Sequence, residues 1–138
     1  MPGPRPPRLP KPTDAELAIL RVLWRRGPST VRDVHEDAEG ATRGGYTTVL
    51  KLLQIMIDKG LVLRDETRRT HVYRAAVGED QTQRQLVRHL LDRAFGGSTR
   101  KLVLQALSAK KASRAELREI RALLQQFEEG QEKKGGRP

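Results

Sequence analysis

The chain has 138 residues, which suits one domain of ordinary size or two small modules, and 36% of them are hydrophobic. It contains no cysteine, which excludes disulfides, thiolate metal sites and a cysteine nucleophile and fits a reducing cytoplasm. The formal net charge is +10, so a polyanionic partner is expected, whereas no apolar run approaches the roughly 20 residues of a membrane-spanning helix, which argues against membrane insertion.

Residues 1–12 are rich in proline and basic, and they predict a disordered arm. The first helix begins at the capping box Thr13–Glu16, in which each side chain can satisfy a backbone N–H of the other residue. Gly27-Pro28 ends this helix. A second helix follows the N-cap Ser29-Thr30, and its apolar stripe reaches Ala38.

The third helix is predicted from about Tyr46 to Lys59, with Gly60 as its stop. Its apolar residues Val49, Leu52, Leu53 and Met56 fall on one face. Two short strands, 61–63 and 71–73, then predict a hairpin whose loop, 65–70, carries both acidic and basic residues.

Three further amphipathic helices are predicted over residues 79–129. Gly96-Gly97 separates the first two, Ser98 or Thr99 caps the second, the capping box Ser113–Glu116 opens the third, and Gly130 ends it. One copy would leave much of their apolar surface uncovered, so this segment is interpreted as a homodimerisation domain. The residues expected to form it are Leu86, Leu90, Leu91, Phe95, Leu102, Val103, Leu107, Leu117, Ile120, Leu124 and Phe127. Residues 130–138 are expected to form a disordered basic tail.

The order of elements predicts a mainly α fold with a small β-hairpin. Residues 13–78 would form a winged helix-turn-helix domain and residues 79–129 a helical arm. In the winged-helix plan the third helix enters the major groove of DNA and the hairpin lies along neighbouring phosphates. Hydroxyl, amide and amine groups suit base edges, and guanidinium groups suit phosphates. The candidate DNA-binding residues are Arg43, Thr47, Thr48, Lys51, Gln54, Arg68, Arg69 and His71. Asp65 and Glu66 carry charges opposite to those of the two wing arginines. The interpretation therefore requires these acids to occupy different positions from Arg68 and Arg69.

Other functions were weighed against this hypothesis. His35, His71 and His89 are far apart and lack the spacing of metal ligands. No nucleophile with a base, no glycine-rich phosphate loop and no cofactor motif is present, so the chain is not expected to be an enzyme. A winged helix also serves RNA and protein partners, and an interaction module without sequence-specific DNA binding is the alternative.

Several segments in fixed order carry a family resemblance. They are TDAELAILRVLW, YTTVLKLLQIMIDKGLV, HVYRA, LLDRAFGGSTRKLVLQAL and SRAELREIRALL. Over residues 13 to 127 the chain resembles the penicillinase-repressor and methicillin-resistance-repressor family of bacterial winged-helix transcription factors. The resemblance implies a homodimeric repressor at a palindromic operator, with Thr47, Thr48 and Lys51 in the groove and Arg68 and Arg69 on the wing.

The resemblance also implies a route to induction. Many members are inactivated by cleavage in the dimerisation arm, downstream of a membrane-bound metalloprotease, and the corresponding helix here is Leu102 to Leu107. A bond such as Gln105–Ala106 differs from the asparagine–aromatic bond of the resistance repressors. A sister branch senses copper through a cysteine cluster, which the absence of cysteine excludes here.

Overall fold

A computed structural model describes residues 10–38 and 44–135, except for the side chains of 133–135. Within these ranges the helices are α1 (Asp14–Arg26), α2 (Val31–Asp37), α3 (Tyr46–Lys59), α4 (Glu79–Ala94), α5 (Thr99–Ala109) and α6 (Arg114–Gly135), and the strands are β1 (Val62–Asp65) and β2 (Val72–Ala75). The predicted class, mainly α with a small hairpin, is confirmed. The predicted disordered arm and the loop before α3 lie largely outside the described residues, although Pro12, at the end of the arm, is described and buried.

Reciprocal capping boxes begin the first two helices. The Thr13 hydroxyl accepts from the Glu16 N–H and the Glu16 carboxylate accepts from the Thr13 N–H, at 3.2 and 2.8 Å. Thr30 and Asp33 repeat the arrangement, with both distances at 3.1 Å. Each box satisfies two N–H groups that a helix start otherwise leaves without partners.

The hairpin is antiparallel, and its register pairs Val62 with Ala75 and Arg64 with Tyr73. Its second strand is held on the other edge as well, because the Ser29 N–H donates to Tyr73 O at 2.9 Å and the Tyr73 N–H donates to Ser29 O at 2.7 Å. The loop between α1 and α2 therefore anchors the wing to the helices. Gly60, with φ of 81°, provides the left-handed residue that turns the chain from α3 into β1.

The first three helices and the hairpin enclose one aliphatic core. It is closed by Tyr73, which is 1% exposed. Trp24 packs against its edge, and its indole Nε1 donates to Val77 O at 2.9 Å. The buried hydrophobic residues are Ile19, Leu20, Val22, Leu23, Val31, Val34, Ala38, Val49, Leu53, Met56, Leu61, Val62 and Tyr73.

The described chain forms two compact units, which divide between Leu90 and Leu91 inside α4. The start of α4 belongs with the first unit, where Thr82 is 2% exposed and its hydroxyl donates to Gly78 O at 2.8 Å. In the second unit Ser98 caps α5 by accepting from the Lys101 N–H at 3.2 Å. In the described part of the chain, no helix combines the length and apolar character needed to cross a bilayer.

The structure corrects two sequence-based boundaries. The strands occupy 62–65 and 72–75, one or two residues later than predicted, because pairing rather than apolar content defines their ends. The prediction that Gly130 ends the last helix is wrong, since α6 continues to Gly135. A single glycine in an exposed helix costs about 1 kcal/mol relative to alanine, which weakens a helix without terminating it.

Candidate nucleic-acid interface

One side of α3 is free of core contacts and carries most of the predicted base-reading residues. Thr47, Lys51 and Gln54 are exposed, while Thr48 is half-buried. On the opposite side Val49, Leu53 and Met56 are fully buried and fix the rotation of the helix about its axis. The exposed face therefore presents a hydroxyl, an ammonium and a carboxamide, three groups that can hydrogen-bond to base edges or phosphates.

The beginning of α3 is set by a glycine pair. Gly45 is the N-cap and offers no side-chain hydrogen bond to the first turn. Gly44 has φ of 123°, and a Cβ atom there would lie 2.4 Å from Thr48 Oγ1. The close approach of Gly44 to Thr48 thus positions one predicted site residue. This role of Gly44 could not be predicted from the sequence, because adjacent glycines indicate a turn without revealing what lies against it.

The acids of the wing bind groups of the hairpin other than the Arg68 and Arg69 side chains. Asp65 accepts from the Thr67 hydroxyl at 2.6 Å and from the Thr67 N–H at 2.9 Å. These hydrogen bonds hold the pKa of the Asp65 carboxyl below its ordinary value. Glu66 forms an ion pair with Arg64. Both acids are therefore engaged within the hairpin itself.

The arginines of the wing loop remain available. Arg68 and Arg69 are exposed, and within the described ranges neither forms an ion pair. His71 is also exposed, immediately before β2. The paired Arg64 does not share this freedom, so the cationic part of the hairpin lies in the loop between the strands.

Arg74 is a further candidate that was not predicted from the sequence. It is exposed on β2, and in the part of the chain that the structure describes it has no ion-pair partner. It alternates with the buried Tyr73 and lies opposite Leu63 on the outer side of the hairpin. The alternation of a buried aromatic with an arginine was the available signal.

Two other basic side chains of the first unit form ion pairs with acids, one of them buried. Arg26 lies 3.0 Å from Asp33 and 2.8 Å from Asp37, which joins α1 to α2. Lys59, at the end of α3, lies 2.8 Å from the buried Glu16. Such pairing contrasts with Lys51 on α3, for which no ion pair is found within the described residues.

The fold brings the two predicted DNA-binding elements into one unit, with α3 packed directly against β1. Arg43 lies outside the described residues. Among the described residues, no group of histidine, aspartate and glutamate side chains is arranged to hold a metal ion. The site is therefore a polar and cationic surface on a scaffold of three helices and a wing.

The predicted dimerisation residues keep much of their apolar surface exposed. Phe127 on α6 is 70% exposed and Leu124 is 55% exposed. The set divides into exposed Leu90, Val103, Leu107, Leu117, Leu124 and Phe127 and half-buried Leu86, Leu91, Phe95, Leu102 and Ile120. Three further large apolar residues on these helices are also exposed, namely Val87, Leu104 and Leu123.

Comparisons with known proteins show which family the sequence matches. A family model described as Penicillinase repressor matches residues 12–126. The Transcriptional regulator BlaI of Mycobacterium tuberculosis (strain ATCC 25618 / H37Rv) is 36% identical over 92 residues, or 66% of this chain and 67% of that protein. The Penicillinase repressor of Bacillus licheniformis is 23% identical over 119 residues, or 86% and 93% of the two chains.

A solved structure is also similar. It is the solution structure of the Bacillus licheniformis BlaI monomeric form in complex with the blaP half-operator, with a TM-score of 0.47 and 23% identity over 54% of this chain and 90% of that one. The family match spans nearly all of the described residues, including α3, the wing and most of α6. The chain therefore belongs to the penicillinase-repressor family of bacterial winged-helix transcriptional regulators.

Proposed function

We propose that the chain is a homodimeric, sequence-specific DNA-binding repressor that acts at a palindromic operator. The observation that carries the proposal is the exposed face of α3, with Thr47, Lys51 and Gln54, in the same unit as a wing whose Arg68 and Arg69 have no ion-pair partner among the described residues. A helix of this width fits the major groove of B-DNA.

The helix α3 and the wing would make different kinds of contact with DNA. Side chains of α3 would contact base edges, where lysine suits guanine, glutamine suits adenine and the threonine methyl group suits thymine. Arg68 and Arg69 would contact phosphates, which fixes the position of the domain without reading sequence. Thr48, Arg43 and His71 are assigned supporting contacts in the same proposal.

The two-fold symmetry of the proposed palindromic operator requires a second copy of the chain. The exposed apolar residues of α4, α5 and α6 would be covered by pairing, since monomers rarely leave so many large hydrophobic side chains in water. Two identical winged helices related by a two-fold axis would then read two inverted half-sites, separated by one DNA turn or a multiple of it.

Relief of repression by proteolysis belongs to the proposal as well. The bond Gln105–Ala106 lies inside α5, and both of its residues are exposed. Because a protease needs an extended segment, cleavage there requires local opening of the helix. Loss of the chain beyond this bond would remove α6 and weaken dimerisation.

Footprinting of the purified full-length protein on fragments from its own chromosomal neighbourhood tests the proposal. We expect protection of an inverted repeat and a preference of about a thousandfold or more over a scrambled duplex of equal length, the range of specific over non-specific DNA binding. Equal affinity for the scrambled duplex, or a preference for RNA of the same sequence, would contradict sequence-specific DNA binding and support an interaction module.

A further inference from the structure

The surface of α6 carries an apolar stripe that is partly covered at Leu117 and Ile120 and mostly exposed at Leu124 and Phe127. Leu117, Ile120, Leu124 and Phe127 recur at alternating intervals of three and four residues, which places them in one line along the helix. From Arg114 to Glu132 every side chain is exposed except Ile120, which is half-buried. This periodicity is typical of a helix that packs lengthwise against another helix.

Charged residues flank the stripe in an uneven way. Arg114, Arg118 and Arg121 are exposed on the first turns of α6, and within the described residues none of them forms an ion pair. On the same side of the helix, but beyond its middle, lie the exposed Glu128 and Glu132. At 100° per residue these acids fall within 40° of Arg114, by the helical repeat of about 3.6 residues. One flank of α6 is therefore basic at its start and acidic towards its end.

We propose that α6 pairs in an antiparallel orientation with α6 of a second copy of this chain. The inference rests on the proposed homodimer and deepens it by assigning the helix and the orientation. Turning one α6 end for end places Leu117 opposite Phe127 of the second copy and Ile120 opposite Leu124 of the second copy. The same rotation places Arg114 opposite Glu128 of the second copy, and the two-fold axis repeats each contact.

Self-complementarity identifies the occupant as a copy of the chain itself. The midpoint of each apolar pair is residue 122, and the midpoint of the pair Arg114–Glu128 is residue 121. Because the two midpoints are one residue apart, a single two-fold axis near them generates both kinds of contact. The exposed Leu123 would meet its own copy beside this axis, which accounts for an apolar residue outside the main stripe. Flanking charges of this kind set partner choice and orientation in paired helices.

The parallel arrangement fits the charge distribution less well. It would align the arginines of the two copies at one end and the acids at the other. It would also leave Arg114 and Glu128 of the second copy 14 residues apart, or about 21 Å along the helix. The antiparallel arrangement carries one unfavourable contact, between the two Arg121 side chains near the axis, so Arg114 and Glu128 set the orientation.

Charge reversal in the full-length protein tests the orientation. Arg114→Glu and Glu128→Arg should each weaken their own homodimer about tenfold, because like charges then face each other twice. Mixing the two variants restores both opposite-charge pairs, so native mass spectrometry should find more than about nine-tenths heterodimer. Glu129→Arg, on the side of α6 away from the stripe, is the matched control. A mixture of this variant with Arg114→Glu should contain about half heterodimer, the proportion expected from random pairing.

Cross-linking provides a second measurement that does not depend on affinity. Because the chain contains no cysteine, Arg114→Cys and Glu128→Cys each introduce the sole thiol. An equimolar mixture should form the mixed disulfide in preference to either symmetric one. If the wild-type protein is dimeric but both experiments give random pairing, the antiparallel α6 pairing is wrong and the proposed repressor function is unaffected. A wild-type protein that stays monomeric at all concentrations overturns both.

Discussion

The Lys59 ammonium at the end of α3 lies 2.8 Å from the carboxylate of Glu16, a residue of α1 that is 1% exposed. The same carboxylate oxygen accepts from the Thr13 N–H at 2.8 Å. The residue that caps α1 therefore also holds the end of the helix that we assign to the DNA groove. Since a buried carboxylate is costly without a cationic partner, the two helices are coupled at this point.

We expect Glu16→Gln to lower the free energy of unfolding by about 1–3 kcal/mol, the usual cost of a charged hydrogen bond lost in a buried place. Glutamine keeps the capping box, so the loss isolates the contact with Lys59. Urea unfolding at pH 7 measures it. Lys59→Met, alone and combined with Glu16→Gln, completes a double-mutant cycle. Additive losses of stability would show that the two side chains do not interact.

Lowering the pH should remove the stabilisation that the Glu16–Lys59 contact provides in the wild-type protein. Burial raises the pKa of Glu16, but the hydrogen bonds from Lys59 and Thr13 outweigh it, and the pKa is lowered from 4.5. A lowered folded-state pKa means that the stabilisation is complete above the unfolded-state value and is lost as the pH falls through the folded-state value.

We therefore expect the stability difference between wild type and Glu16→Gln to be constant near neutral pH and to shrink below about pH 4.5. Urea titrations at a series of pH values provide the measurement. Taking the difference cancels the acid sensitivity of Asp33 and Asp65, whose pKa values are also lowered. A difference that grows on acidification would contradict the assignment.

Lys51→Ala should weaken operator binding by about 1–3 kcal/mol, as expected for a side chain that reads a base, and should reduce the preference over scrambled DNA. Gel-shift titrations with both duplexes measure the two effects. Arg21→Ala, which removes an exposed cation from α1, is the control and should leave the preference unchanged. Equal weakening on both duplexes would reassign Lys51 to a phosphate.

The double substitution Arg68→Ala with Arg69→Ala should weaken binding to operator and random DNA alike. Each phosphate contact releases about 0.9 counterion, so the slope of log affinity against log salt should fall by about 2. Arg32→Ala provides the comparison, because this exposed arginine lies on α2 and is paired with Glu36. An unaltered slope would mean that the wing does not contact the DNA backbone.

Gly44→Ala should disturb the start of α3. Its φ of 123° is strained for alanine, and the new Cβ would lie 2.4 Å from Thr48 Oγ1. We expect a loss of about 1–3 kcal/mol in stability together with weaker operator binding. The neighbouring Gly45→Ala is a matched control, since its Cβ would meet nothing within 4 Å. Thermal unfolding and gel shift on both variants test the difference, and equal behaviour would argue against the contact.

Local sequence patterns predicted the elements of this fold well. The capping boxes at Thr13 and Thr30 and the apolar face of α3 depend on residues three or four positions apart, which are visible in the sequence. The end of α6 was wrong because Gly130 lowers helix propensity without supplying a stop. Glycine correctly indicated the ends of α1 and α3, at Gly27 and Gly60, where its positive φ lets the chain leave the helix, but not the end of α6.

Contacts between distant residues could not be predicted in the same way. Glu16 and Lys59 are 43 positions apart, and their pairing depends on how α1 packs against α3. The availability of Arg68 and Arg69 likewise depends on Asp65 and Glu66 turning towards their own hairpin, a matter of side-chain direction. Whether these arginines, with Lys51, contact DNA remains a prediction.

The hydrogen bond from Trp24 Nε1 to Val77 O ties α1 to the segment that leads into α4, and Trp24 is the sole tryptophan of the chain. Its indole lies half-buried at this junction. The protein thus contains an intrinsic fluorophore at the contact between α1 and the segment that precedes α4. A shift in its emission maximum would report rearrangement of this junction in real time, without any attached dye.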